Sequence, residues 1–181
     1  MLDLPGISRY EQSDFRYGSK PTGTSRGRNR LSPTSLQRAI SRRMNLNPRI
    51  GLSFDGQCEA AFKFYERCLN GKIAFMLRWG ESPMAKDAPA EWRGKILHAR
   101  LVIGDTALLG ADALPGSYES PRGFSLLLSL DDPGETERLF SALAENGTVR
   151  MPLQETFWAH RFGVVTDQFG ITWDINYEKS E

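Results

Sequence analysis

A chain of 181 residues, 40% hydrophobic and 25% charged, has the make-up of an ordinary globular protein with one domain or two small ones. No run approaches the ~18 apolar residues that a membrane-spanning helix needs, so no membrane partner is expected. A net charge of +1 makes no global case for a nucleic-acid surface, although that balance averages two unlike parts.

The first part is residues 1–46. They hold nine basic and three acidic residues, a net +6, against 14 and 19 in the remaining 135, a net −5. The segment is rich in Ser, Gly, Thr and Pro and almost free of apolar periodicity. It cannot bury enough surface to offset its ordering entropy and is expected to be disordered. Three readings fit it. A transit peptide suits the Arg and Ser content, but the opening Met-Leu-Asp-Leu-Pro-Gly spoils an amphipathic helix. A nucleic-acid arm has charge alone in its favour. The third, a solvated extension ahead of a working start at Met44, is preferred, because composition is weak evidence for a tail's function. No secretory apolar core is present, so the expected location is the cytoplasm.

The second part, residues 47–181, is organised by an internal repeat. Shifted by 76 residues, 52–73 lies over 128–149 without a gap. Seven of 22 positions are identical: Leu52/Leu128, Ser53/Ser129, Asp55/Asp131, Glu59/Glu135, Phe64/Phe140, Asn70/Asn146 and Gly71/Gly147. Each copy opens with a short apolar strand and turns at an Asp into a helix. Each helix ends at Asn-Gly, where the glycine is expected to supply a left-handed cap.

In the first helix Cys58, Ala61, Phe62, Tyr65 and Leu69 make one apolar stripe. Cys58 and Cys68 point about 80° apart and stand about 15 Å apart along its axis, too far to bridge. Reduced, packed thiols are expected. A strand from Lys72 to Trp79 leads into a fifteen-residue loop, 80–94, with two prolines. A loop of that length reads as a lid, a partner surface or a disordered segment. Strands over 95–104 and 106–112 then turn at Gly104-Asp105.

After a Pro/Gly-rich link, Ala113 to Arg122, the second copy repeats the order. Asp132 is the expected N-cap with Pro133 at the first helical position, and Leu139, Phe140 and Leu143 face inward. Strands follow over Thr148–Phe157, 161–167 and 171–177. The fold class is therefore α+β: two tandem βαβββ modules, about 48–112 and 123–178, whose mixed sheets cup around a cleft.

His98 and His160 are the only histidines. His98 alternates with Leu97 on its strand and reads as a cleft base or as a hydrogen-bonded structural histidine. His160, in a turn, is the weaker candidate. Asp174 shares a face with Thr172 and Asn176, opposite Trp173 and Ile175. On a cleft-lining face it would serve as a proton acceptor, which makes Asp174 and His98 the candidate catalytic pair. Phe75, Trp79, Phe124, Phe157, Trp158 and Phe162 lie on or beside strands bordering the cleft. They suit a flat or hydrophobic small molecule, with core packing as the competing reading. Trp158, beside polar turn residues, is the best placed of them. No Cys/His cluster suggests zinc, and no glycine-rich turn after a strand suggests a nucleotide-bearing methyl donor.

The duplicated module resembles the vicinal oxygen chelate superfamily, which includes glyoxalase I, extradiol dioxygenases and the bleomycin- and fosfomycin-resistance proteins. The stretches LSFDGQCEAAFKFYERCLNGKI, KILHARLVIGDTALLGAD, GFSLLLSLDDPGETERLF and MPLQETFWAHRFGVVTDQFGITWDIN are most similar to its PhnB-like branch. They span about residues 48–178.

The resemblance implies four inward slots that hold a divalent metal in the superfamily's metalloenzymes. Here they are filled by Arg49, Leu109 (or its neighbour Gly110), Ser125 and Asp174; the repeat offset pairs Arg49 with Ser125 independently. Only Asp174 could bind a hard cation strongly, and Arg49 would repel one. No metal and no other cofactor is therefore expected. Arg49 and Ser125 join Trp158, Phe157, Phe162, Phe124 and Trp79 as ligand-binding candidates, with an Arg49–Asp174 ion pair as the bland reading of that cluster. The resemblance implies a homodimeric small-molecule-binding protein. The alternative is a metal-dependent lyase, isomerase or dioxygenase acting on adjacent oxygens.

Overall fold

A computed structural model describes residues 48–179, so the readings of residues 1–46 lie outside the described part. Ten elements follow in order: β1 (Ile50–Phe54), α1 (Cys58–Cys68), β2 (Lys72–Arg78), β3 (Ile96–Ile103), β4 (Thr106–Asp112), β5 (Leu126–Leu130), α2 (Pro133–Ala144), β6 (Thr148–Gln154), β7 (Ala159–Thr166) and β8 (Thr172–Glu178). They form two four-stranded sheets, β1-β4-β3-β2 and β5-β8-β7-β6. In each, the first strand runs parallel to the last and the other pairs are antiparallel. The class is α+β with two βαβββ modules, as expected.

The 76-residue offset relates β1 to β5 and β2 to β6 residue for residue. It then drops to 63 at β3 and β7, because 79–95 connects the first pair and only 155–158 the second. The longer connection is neither loose nor shapeless. It carries three short 3-10 turns and buries Trp79, Ser82 and Ala88. At its base Trp79 N donates to Lys95 O and Gly80 N to Arg93 O, and Lys95 Nζ reaches Gly56 O at 2.8 Å.

Local chemistry explains the helix ends. Asp132 accepts a hydrogen bond from Glu135 N at 2.6 Å, with Pro133 next to it, so α2 starts as expected. Helix α1 has no cap from Gln57; the buried Asp112, at the end of β4, accepts from Cys58 N at 2.8 Å and from Ile96 N at 2.7 Å. The Asn-Gly ends work differently from expectation. Asn70 (φ 49°) and Asn146 (φ 56°) take the left-handed conformation themselves. The glycines serve close approach: a Cβ on Gly71 would stand 2.9 Å from Val102 O, and one on Gly147 2.5 Å from Thr166 O.

One core joins the modules. It gathers Leu52, Phe54, Phe62 and Leu101 of the first with Leu143, Val165, Trp173 and Ile175 of the second. Tyr65 on α1 crosses the boundary, its ring 5.3 Å from Trp173 and 6.0 Å from Phe169. Its hydroxyl donates to Asp167 at 2.7 Å, and Asp167 also accepts from Trp173 Nε1, Phe169 N and Ile171 N. Each sheet thus spends its inner face on this shared core and turns its other face away from it.

Candidate functional site

Strand alternation and register give the outward face of the first sheet. Gly51 pairs with Leu109, Leu109 with Arg100 and Arg100 with Phe75, so these four make one row across the sheet. His98 precedes Arg100 by two residues on the same face, paired with Leu77, and its ring lies 5.2 Å from that of Phe75. Arg49, one step before β1, is exposed and lines a pocket of about 90 Å³ together with Arg100, Val102, Asp105 and Thr106. The Nε of Arg100 is buried without a hydrogen-bond partner.

The outward face of the second sheet carries two rows. Leu127, Asp174, Val164 and Met151 form one; Ser129, Asn176, Phe162 and Gln154 form the other. Ser125 donates its hydroxyl to Asp174 Oδ2 at 2.6 Å. Asn176 gives its Nδ2 to Glu178 and keeps a buried Oδ1 without a partner. Beside them Phe157, Trp158 and Phe162 pack edge to face, with centroids 4.5 Å and 5.4 Å apart. Phe157 is 89% exposed and Leu127 58%, high values for large apolar side chains.

These placements sort the sequence-predicted residues. Asp174 and Ser125 come together, and Phe157, Trp158 and Phe162 gather into one patch on their sheet. Phe124, 48% exposed, adjoins Ser125. His98 and Arg49 stand on the other sheet, which separates the two candidate catalytic residues within one chain. The Arg49–Asp174 ion pair is not formed: Asp174 is held by Ser125, and the faces bearing the two residues both turn away from the common core. Trp79 is corrected outright. It is buried beneath the 79–95 connection and its Nε1 donates to Asp112 O, so no ligand on the open face meets it. Of the two residues considered for one slot, Leu109 faces outward, whereas a Cβ on Gly110 would meet the Phe62 ring at 2.3 Å.

Arg100 is the residue sequence reasoning missed. The alternation that put His98 on a face puts Arg100 on the same face, so the signal was present.

The donor chemistry does not fit a resident metal. The four slots divide between the two sheets, and among the described residues no three His, Cys, Asp or Glu side chains form a group that could hold one. The cysteines offer no nucleophile either. Both are free and buried; burial pushes both thiols up, and Asp112 beside Cys58 pushes that one further.

Comparison with known proteins follows the same outline. The family described as 3-demethylubiquinone-9 3-methyltransferase matches residues 49–176. The chain is 38% identical over 138 residues to protein YjdN of Escherichia coli (strain K12), across 72% of this chain and 94% of that one. The crystal structure of protein PA1353 from Pseudomonas aeruginosa is 46% identical and superposes with a TM-score of 0.69, covering 75% of this chain and all of that one. A PhnB protein from Bacillus cereus shares the fold at 22% identity and a TM-score of 0.64, covering 73% and 99%.

Proposed function

The chain belongs to the 3-demethylubiquinone-9 3-methyltransferase family, the PhnB-like branch of the vicinal oxygen chelate superfamily, and we propose that it binds a small molecule in a cleft completed by a second copy of itself. The observation that carries this reading is the pair of open sheet faces. Each presents a row of apolar and polar side chains of the kind that line ligand sites, yet neither is covered within the chain.

A twofold dimer that lays the first sheet of one copy against the second sheet of the other covers both faces at once and makes two equivalent clefts. One copy's Asp174 then meets the other's Arg49, which supplies the ion pair that a single chain lacks. Phe75 and the Phe157–Trp158–Phe162 patch become opposite walls suited to a flat or apolar ligand.

Neither methyl transfer nor metal chemistry belongs to this proposal. The turns from β1 to α1 (Asp55-Gly56-Gln57) and from β5 to α2 (Asp131-Asp132) are not glycine-rich phosphate cradles, and the sheets are not doubly wound. A metal-dependent lyase, isomerase or dioxygenase would have Asp174 as its one strong donor at the four slots, with Arg49 opposing the cation. No described helix is long and apolar enough to cross a membrane. We propose a cytoplasmic location, which the buried free cysteines support because such thiols suit a reducing compartment.

Thermal melting with Mn²⁺, Ni²⁺, Zn²⁺ or a chelator tests the metal-free reading. The expected melting temperature is unchanged throughout. A stoichiometric bound metal, or a rise of several degrees with one cation, contradicts it.

A further inference from the structure

The first sheet holds a feature that the shared core does not explain and that the dimer answers only for Arg49. Two guanidinium groups, Arg49 and Arg100, line one pocket at the turn end of the β3–β4 hairpin. Among the described residues neither has an acidic partner within salt-bridge reach. Asp105, at the rim of the same pocket, makes no ion pair with either. Arg100 stands between Leu109 and Phe75 in its row, so its neighbours across the strands are apolar. Its buried Nε donates to nothing. A buried charged donor without an acceptor is costly, and such a group in a native fold calls for the acceptor it lacks.

We propose that this pocket is an anion subsite, in which Arg100 holds the oxyanion group, carboxylate or phosphoryl, of the small-molecule ligand, and Arg49 at its rim is shared between that anion and the second copy's Asp174. A guanidinium fork matches the paired oxygens of either group and excludes neutral ligands that cannot satisfy Nε. The pocket, about 90 Å³, suits a headgroup and not a whole ligand. The remainder of the ligand lies along Phe75 and His98 and, in the assembled cleft, against the aromatic patch of the second copy. This inference deepens the binding reading and rests on it for that remainder. The subsite itself is built by one chain.

Titration of the full-length protein with inorganic phosphate, and separately with acetate, at low ionic strength and followed by calorimetry or NMR, tests it and tells the two groups apart. One of the two anions is expected to bind saturably at one site per chain. Arg100→Gln should weaken binding about tenfold or more, and Arg100→Lys should recover only part of it, because the charge returns without Nε. An unaltered melting curve for the Arg100→Lys variant keeps the comparison free of misfolding. Saturable binding that survives an Arg49→Gln/Arg100→Gln double variant overturns the subsite, and so does failure of both anions to bind at millimolar concentration. A monomer that still binds the anion through Arg100 would overturn the composite cleft alone; a dimer that binds neither anion would overturn the subsite alone.

Discussion

Asp167 accepts four hydrogen bonds, from two side chains and two backbone amides, and one of the donors, Tyr65, comes from the other module. Burial and this carboxylate together push the Tyr65 hydroxyl well above the ordinary tyrosine range, burial being the larger cause. Asp167→Ala leaves the Tyr65 hydroxyl and the Trp173 indole N–H buried and unsatisfied. It should cost about 3 kcal/mol or more in urea unfolding, and Tyr65→Phe about 1 kcal/mol. A loss below 1 kcal/mol for Asp167→Ala would show that the network does not hold the modules together. None of this was legible beforehand. Asp167 reads as the end of a strand and Tyr65 as part of an apolar stripe, and periodicity cannot report a hydrogen bond 102 residues long in sequence.

The same limit shaped the candidate site. Alternation puts Asp174 on one face with Asn176, because side-chain direction follows from strand geometry alone, whereas Ser125 enters only through the resemblance and the repeat offset. Alternation could not say which face the core takes. Trp79 shows the consequence: an aromatic residue at a strand end looks the same whether it lines a cleft or, as here, closes the core under a connection.

Among the elements, the strands and helices were the most legible part, because the offset of 76 residues carries through β1/β5 and β2/β6 without a gap. The helix ends were read only in part. Asp132 caps α2 as its residue type suggests, whereas Gly71 and Gly147 serve strand approach instead of the left-handed turn. Gly71→Ala should therefore destabilise, since the new Cβ meets a backbone carbonyl, while Asn70→Gly should be nearly neutral. Equal losses from the two substitutions in chemical unfolding would contradict this division of roles.

Helix α1 is also tied to β2 through Glu59, which accepts from Lys63 at 2.8 Å and Arg78 at 2.9 Å. Those two hydrogen bonds, Lys63's being the larger cause, hold the Glu59 carboxyl below the usual carboxylate range. A depressed pKa contributes stability that is present above the unfolded value of 4.5 and is lost as pH falls through the lower folded value. The side chain is one-third exposed and so screened by solvent, and Glu59→Gln should cost only about 0.2–1 kcal/mol near pH 7 and nothing once the carboxyl is protonated. A cost that grows as pH falls would have the wrong sign.

For the whole molecule, the arrangement follows from how the modules use their faces. Burying both inner faces and both helices in one core leaves two outer faces, with Leu127 and Phe75 each more than two-fifths exposed. Such exposure on paired rows is unusual for a chain that acts alone. The outer edges of β1 and β5, unpaired within their sheets, lie beside those rows and leave room for a second copy. It also explains why Arg49 and Asp174, matched in charge, never meet within one chain.

Sedimentation equilibrium of the full-length protein tests that arrangement most directly. The wild type should show twice the chain mass of 20.4 kDa at micromolar concentration, and Leu127→Arg, which places a charge in the covered row, should reduce it to the single-chain mass with the melting transition still cooperative. A wild type that sediments at 20.4 kDa across that range would contradict the composite cleft.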